Sequence, residues 1–197
     1  MSVSTPLRAR NVAALAFAAA VATQPLAQAP AAAAAAVAGA ANAALPELVR
    51  TLAPRLQVHG EGNFRWFGLL LYHARLWSPP GGWLANDQYA LEIRYARTIK
   101  GEQIAERSID EMRHIRIGTD LQHQQWREAM QKTFPDVKDG DQLIGLASPG
   151  AATKFFLNER PIGDIADPAF GPAFFGIWLS PATSRPALRQ VLLGLAR

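Results

Sequence analysis

Cysteine is absent from all 197 residues. That excludes a disulfide scaffold and every thiolate metal site. A metal would have to use His59, His73, His114 and His123, and no two of these stand at a helical i, i+4 spacing, so no metal is expected. The glycine-rich signatures of phosphate and dinucleotide sites are missing too. Gly60-x-Gly62 stands alone, without a third glycine at the required offset, and reads as a turn or bulge. No G-x-S-x-G elbow presents a serine nucleophile. No cofactor is therefore expected. No tract of lysine and arginine interleaved with aromatics occurs, which argues against nucleic acid as a partner. No apolar run reaches the roughly 20 residues that span a membrane.

The N-terminus has the grammar of a secretory signal. Arg8 and Arg10 precede a short apolar run from Val12 to Ala22, Pro25 breaks it, and Ala27-Gln28-Ala29 offers small residues for cleavage. We read 1–29 as a signal peptide, with a second candidate cut after Ala41-Asn42-Ala43. Residues 30–44 form an alanine-rich linker, because alanine buries too little surface to anchor a core. Residues 45–197 then make one domain, periplasmic or secreted, with no integral membrane span after cleavage. Two of the chain's four excess positive charges belong to Arg8 and Arg10. The domain itself is nearly neutral, and the high pI does not mark a basic protein.

Within the domain, apolar residues of both parities from Phe64 to Trp77 suggest one long strand buried on both faces. At ~3.3 Å per residue it would reach about 46 Å, so a bend or bulge is expected at Gly68. Tyr89–Arg97 is a second strand. Two amphipathic helices follow, one built on Ile104, Ala105, Ile109, Met112 and Ile115. The other is built on Trp126, Ala129, Met130 and Phe134, after a cap at Thr119 or Asp120. Residues 143–147, 153–157 and 161–165 read as strands, with a turn at Asn158-Glu159-Arg160. Asp167-Pro168 starts a helix carrying Phe170, Phe174, Ile177 and Trp178. Ser184 caps a last helix whose Leu188, Val191, Leu192 and Leu195 face the core. Strands first, with helices between and after, predict an α+β fold.

Arg65 and Tyr72 interrupt the apolar strand. A buried arginine must be paired or must face a polar cavity. One reading is an internal ion pair from Arg65 to Glu61 or Glu92, with Tyr72 in the core. The other is a shared ligand cavity, which requires a bulge or break between them, since on a regular strand they point to opposite faces.

The block from Gly60 to Trp77 resembles the G-x-G-x-x-R … V-Y-x-A-x-L-Y strand of chalcone isomerase-like proteins, above all their exported bacterial branch. Phe134-Pro135-Asp136-Val137, Gly140-Asp141, Phe155-x-x-Asn158 and Phe174-Phe175-Gly176-Ile177-Trp178-Leu179 continue the resemblance in order. It implies an open-faced β-sandwich: a large antiparallel sheet, a helix layer on one side, and a cleft between them. In the family's fatty-acid-binding members an arginine and a tyrosine hold the ligand carboxylate, and Arg65 and Tyr72 match that pair. Tyr72 stands where the plant isomerases carry threonine, which favours binding over ring closure. The family's other active-site tyrosine corresponds to Tyr89 or Tyr95. The expected ligand site is thus Arg65, Tyr72 and Tyr95, with no catalytic residue assigned. The expected partner is a small apolar carboxylate or a phenolic ligand. The alternatives are an intramolecular lyase of the chalcone isomerase type, and a structural or assembly protein whose cleft has collapsed.

Overall fold

The computed structural model describes residues 45–195, so the leader and linker (1–44) lie outside the described residues. A short helix α1 (Glu47–Leu52) precedes three strands, β1 (Gln57–Trp66), β2 (Leu69–Ser78) and β3 (Tyr89–Tyr95). Helices α2 (Gly101–His114) and α3 (Asp120–Thr133) come next. Strands β4 (Gln142–Ala147), β5 (Thr153–Leu157) and β6 (Arg160–Ile165) follow, and then helices α4 (Phe170–Leu179) and α5 (Pro186–Leu192). The six strands form one antiparallel sheet in sequence order. Helices pack on it, giving the α+β open-faced architecture expected.

The predicted long strand is instead a hairpin. Trp66 pairs with Leu69, and Phe67 and Gly68 turn the chain between them at φ 46° and 79°. Two successive residues of positive φ make the tight turn whose twist suits a two-residue hairpin. Gly68 therefore reverses the chain where a bend was expected. A register shift follows, because Phe64 faces Tyr72 while Arg65 faces Leu70. Leu71 is the extra residue, and the bulge turns it to the same side as Tyr72. The turn at Asn158 and Glu159 has the same form, with φ 47° and 70°.

Alternation sorts the sheet into two faces. Ala74, Leu76, Leu91, Ile93, Leu143 and Phe155 join Met112, Trp126, Phe174 and Trp178 of the helices in the main core. On the other face, Trp77, Ala90, Ile144, Leu146 and Phe156 form a smaller cluster with Leu45, Val49 and Ala53. The buried arginine of the hairpin lies on that second face, and it is Arg75, not Arg65. Arg75 is 1% exposed. Its Nε lies 2.8 Å from Glu61 Oε2 and its Nη1 3.7 Å from Glu92 Oε2, while Trp77 Nε1 donates to Glu92 at 3.0 Å. The ion pairing foreseen for Arg65 thus belongs to a residue ten positions on.

Two glycines of β1 have a steric role. A Cβ at Gly60 would stand 2.3 Å from the Val191 carbonyl oxygen, and one at Gly62 would stand 2.6 Å from the Val191 side chain. Their absence lets α5 lie directly on the strand. Thr119 caps α3, accepting from Gln122 N while Gln122 Oε1 accepts from Thr119 N. Ser184 does not cap α5. Its hydroxyl donates to Glu111 instead, and Arg185 takes the cap position. Leu188 and Leu192 are buried as expected, whereas Leu195 is 58% exposed.

Candidate functional site

Between the sheet and the helix layer lies a cavity of about 410 Å³, in the range that holds a small organic ligand. β1 contributes Phe64 and Trp66, β2 Leu71 and Tyr72, and β3 Leu91, Ile93 and Tyr95. α2 supplies Ile104, Arg107, Ser108 and Glu111, α4 supplies Phe174, Ile177 and Trp178, and Arg185 comes from the connection to α5. Most of this wall is apolar. Its polar groups gather around Glu111.

Glu111 sits on the inward stripe of α2, seven residues after Ile104 and three after Ser108, and is 4% exposed. It accepts from Ser184 Oγ at 2.6 Å, Arg185 Nη1 at 2.8 Å and Arg107 Nη2 at 2.7 Å. Burial by itself would push this carboxyl up. The hydrogen bonds from Ser184 and Arg185, with the charges of Arg185 and Arg107, outweigh burial and hold it below the usual carboxylate range. Two guanidiniums thus share one carboxylate. Arg107 also approaches Asp110 at 3.9 Å, but both side chains are more than half exposed there, where water weakens the pair. Arg185 lies over the Phe64 ring, 4.2 Å from its centroid, and its buried Nε has no acceptor among the described residues.

Tyr72 and Tyr95 face each other across β2 and β3, with ring centroids 6.4 Å apart. The Tyr72 hydroxyl accepts from Trp178 Nε1 at 3.0 Å. Burial is the main reason its pKa is pushed up to about 12, with the positive charge of Arg185 acting against it. Burial, and then the neighbouring Tyr72, push Tyr95 up as well. Both therefore stay protonated at neutral pH, and neither hydroxyl donates to any described residue. The polar end of the cavity holds two phenolic protons with no acceptor among the described residues, beside the guanidinium of Arg185.

The expected set is only partly brought together. Tyr72 and Tyr95 share the cavity. Tyr89, the other candidate, packs on Phe175 and Trp83 away from it. Arg65 is not among the lining residues. It is exposed, and its Nη1 donates to the Gly68 carbonyl at 3.2 Å. The reason is the bulge at Leu71, since Arg65 pairs with Leu70 on the face opposite Tyr72. The guanidiniums actually present, Arg107 and Arg185, come from helical segments more than thirty residues away in the chain. For Glu111 and Ser108 a signal existed, because both fall on the apolar stripe of α2, where a polar residue must find a partner. Arg185 had none, as its place depends wholly on how α5 docks.

Residues 38–194 match the model of a family described as chalcone isomerase-like. An uncharacterized protein of Haemophilus influenzae is 32% identical over 136 residues, covering 68% of this chain. The chain spans 66% of that relative, just under two thirds of its length. Among solved structures, a fatty-acid binding protein of Arabidopsis thaliana superposes with a TM-score of 0.54 at 8% identity, over 71% of this chain and 87% of that one. At such low identity the likeness is one of fold.

Proposed function

As the chain belongs to the chalcone isomerase-like family, we propose that it binds an apolar ligand with a hydrogen-bond-accepting head, a fatty acid by preference, and does not transform it. The observation that carries this reading is the pairing of a mainly apolar 410 Å³ cavity with the hydroxyls of Tyr72 and Tyr95, neither of which donates to a described residue, beside the Arg185 guanidinium. A carboxylate accepts from several donors at once, and charge-assisted bonds are the stronger kind. The tail gains about 0.8 kcal/mol for each methylene it buries. The fold neighbour, itself a fatty-acid binding protein, supports the same reading. So does the open cavity, which a collapsed-cleft assembly protein would lack. Together with the signal-like leader, the reading makes this a carrier or scavenger outside the cytoplasm.

The isomerase alternative finds less support in the wall chemistry. Glu111 is engaged by three donors, the two tyrosines hold their protons, and no histidine among the described residues lines the cavity. Burial raises the two tyrosines and the donors around Glu111 lower its carboxyl, so these three groups are moved away from neutral pH, where a general acid or base works best.

The test is thermal unfolding and native mass spectrometry with straight-chain acids of graded length, beside their methyl esters. The acids should protect the protein and the esters should do so far less. Tyr72→Phe should weaken acid binding about tenfold or more, the scale of one hydrogen bond to a charged group, and leave ester binding unchanged. No protection by any acid would overturn the binding reading. Loss of chalcone absorbance above the spontaneous rate would restore the lyase.

A further inference from the structure

The tip of the β1–β2 hairpin is built against its own stability. Phe67 is 89% exposed, Trp66 52% and Leu69 53%. Phe67 also holds φ 46°, at a turn position where asparagine, aspartate or glycine is at ease and a bulky side chain is not. Local strain combined with an exposed phenyl ring is a combination found where function requires it. The Trp66 and Phe67 rings meet edge to face, 5.1 Å between centroids. Behind them stand two exposed arginines tied to the tip backbone. Arg65 donates to Gly68 O, and Arg97 Nε donates to Leu70 O, each at 3.2 Å. No acidic residue occurs between Gly62 and Asn86. Trp66 is also part of the cavity wall, so the tip stands at the cavity's opening.

We propose that this tip inserts into the surface of an anionic lipid bilayer, so that the cavity mouth opens onto the lipid. Rings at the end of a narrow hairpin with guanidiniums one step behind match the layering of a bilayer interface, where apolar groups enter the acyl boundary and cations meet headgroup phosphates. A protein partner fits less well. A stable protein interface takes about 800 Å² from each side, far more than three side chains on a two-residue turn present. The proposal adds a source for the ligand of the previous section. It stands on exposure, backbone and charge at the tip, whatever fills the cavity.

The cysteine-free chain allows a local test on the full-length protein. A single Leu69→Cys, labelled with an environment-sensitive nitrobenzoxadiazole, reports the tip. Gln125→Cys reports α3, which packs against β6 at the far edge of the sheet. Vesicles of phosphatidylethanolamine with phosphatidylglycerol should shift the label at 69 to shorter wavelength, and acyl-chain nitroxides should quench it, while the label at 125 stays aqueous. Phosphatidylcholine vesicles should do this weakly, and added salt should reverse it. Phe67→Asn should lower the vesicle-bound fraction about tenfold or more, as expected for losing a buried phenyl ring. It should also raise the thermal midpoint, because asparagine accepts the left-handed turn. A label at 69 that stays aqueous, or two labels that respond alike, would overturn the proposal. So would shielding at 69 without lipid, accompanied by a doubled mass. Phe67→Asn should keep full thermal protection by fatty acid in lipid-free solution, so failure of the ligand reading shows separately.

Discussion

Glu111 links stability to the site at the scale of one residue. Its carboxylate neutralises Arg185, which is 12% exposed, and anchors Ser184. Glu111→Gln removes the charge and leaves the guanidinium buried without its counter-ion, a change that costs on the order of 3 kcal/mol. Chemical denaturation should show this as a lower midpoint with an unchanged slope. The pH dependence has a definite sign. The folded carboxyl titrates below its ordinary value of 4.5, so its contribution is complete above that value and is lost as pH falls through the lower, folded one. Glu61 is lowered in the same direction: burial opposes the shift, and Arg75 overcomes it by hydrogen bond and charge. Wild type should therefore lose stability on acidification below about pH 4.5, and Glu111→Gln should lose less over that interval.

Elements meet most tightly where β1 passes under α5. A methyl group at Gly60 would meet the carbonyl oxygens of Val191 and Leu192 at 2.3 and 2.4 Å, and backbone atoms cannot rotate away as a side chain can. Gly60→Ala should cost about 1–3 kcal/mol by overpacking, measured by thermal or chemical unfolding. It should also weaken fatty-acid binding, because Arg185 caps α5 and moves with it. Gly68→Ala is a useful contrast. No atom lies within 4 Å of its added methyl group, so any loss there reports only the positive φ of the turn. Ligand affinity should survive that substitution and fall with the other.

For the whole molecule the three tyrosines give one readout. Tyr72, Tyr89 and Tyr95 are all the tyrosines of the chain, and burial raises every one of them above the ordinary value of 10. The folded protein should therefore show almost no tyrosinate absorbance at pH 10 to 11. Ionisation favours the unfolded chain once pH passes 10, so stability falls from there upward and is lost through the folded values, about 12 for Tyr72. The absorbance should appear together with loss of helical circular dichroism. A separate titration near pH 10 in the folded state would show that the core around the cavity is open to water.

Much of this architecture could be read without coordinates. The apolar stripes of α2 and α3, a cap at Thr119 or Asp120 and the later strands follow from local pattern, whereas a ligand site at Tyr72 and Tyr95 was implied only by the family resemblance. Side-chain spacing and capping are properties of neighbours in the chain. The strand from Phe64 to Trp77 was ambiguous for a physical reason: a continuous apolar run with one glycine suits a bent strand or two strands joined by a turn. Only the pairing of Trp66 with Leu69 decides between them. That decision carried the arginine with it. Tertiary pairing put Arg65 at an exposed tip, buried Arg75 between Glu61 and Glu92, and left the cavity's charge to Arg107 and Arg185. Composition and periodicity determined a cysteine-free α+β domain with an apolar interior. Which guanidinium meets that interior was decided by a one-residue bulge and by the docking of α5, because a face of a sheet is defined only by the strand beside it.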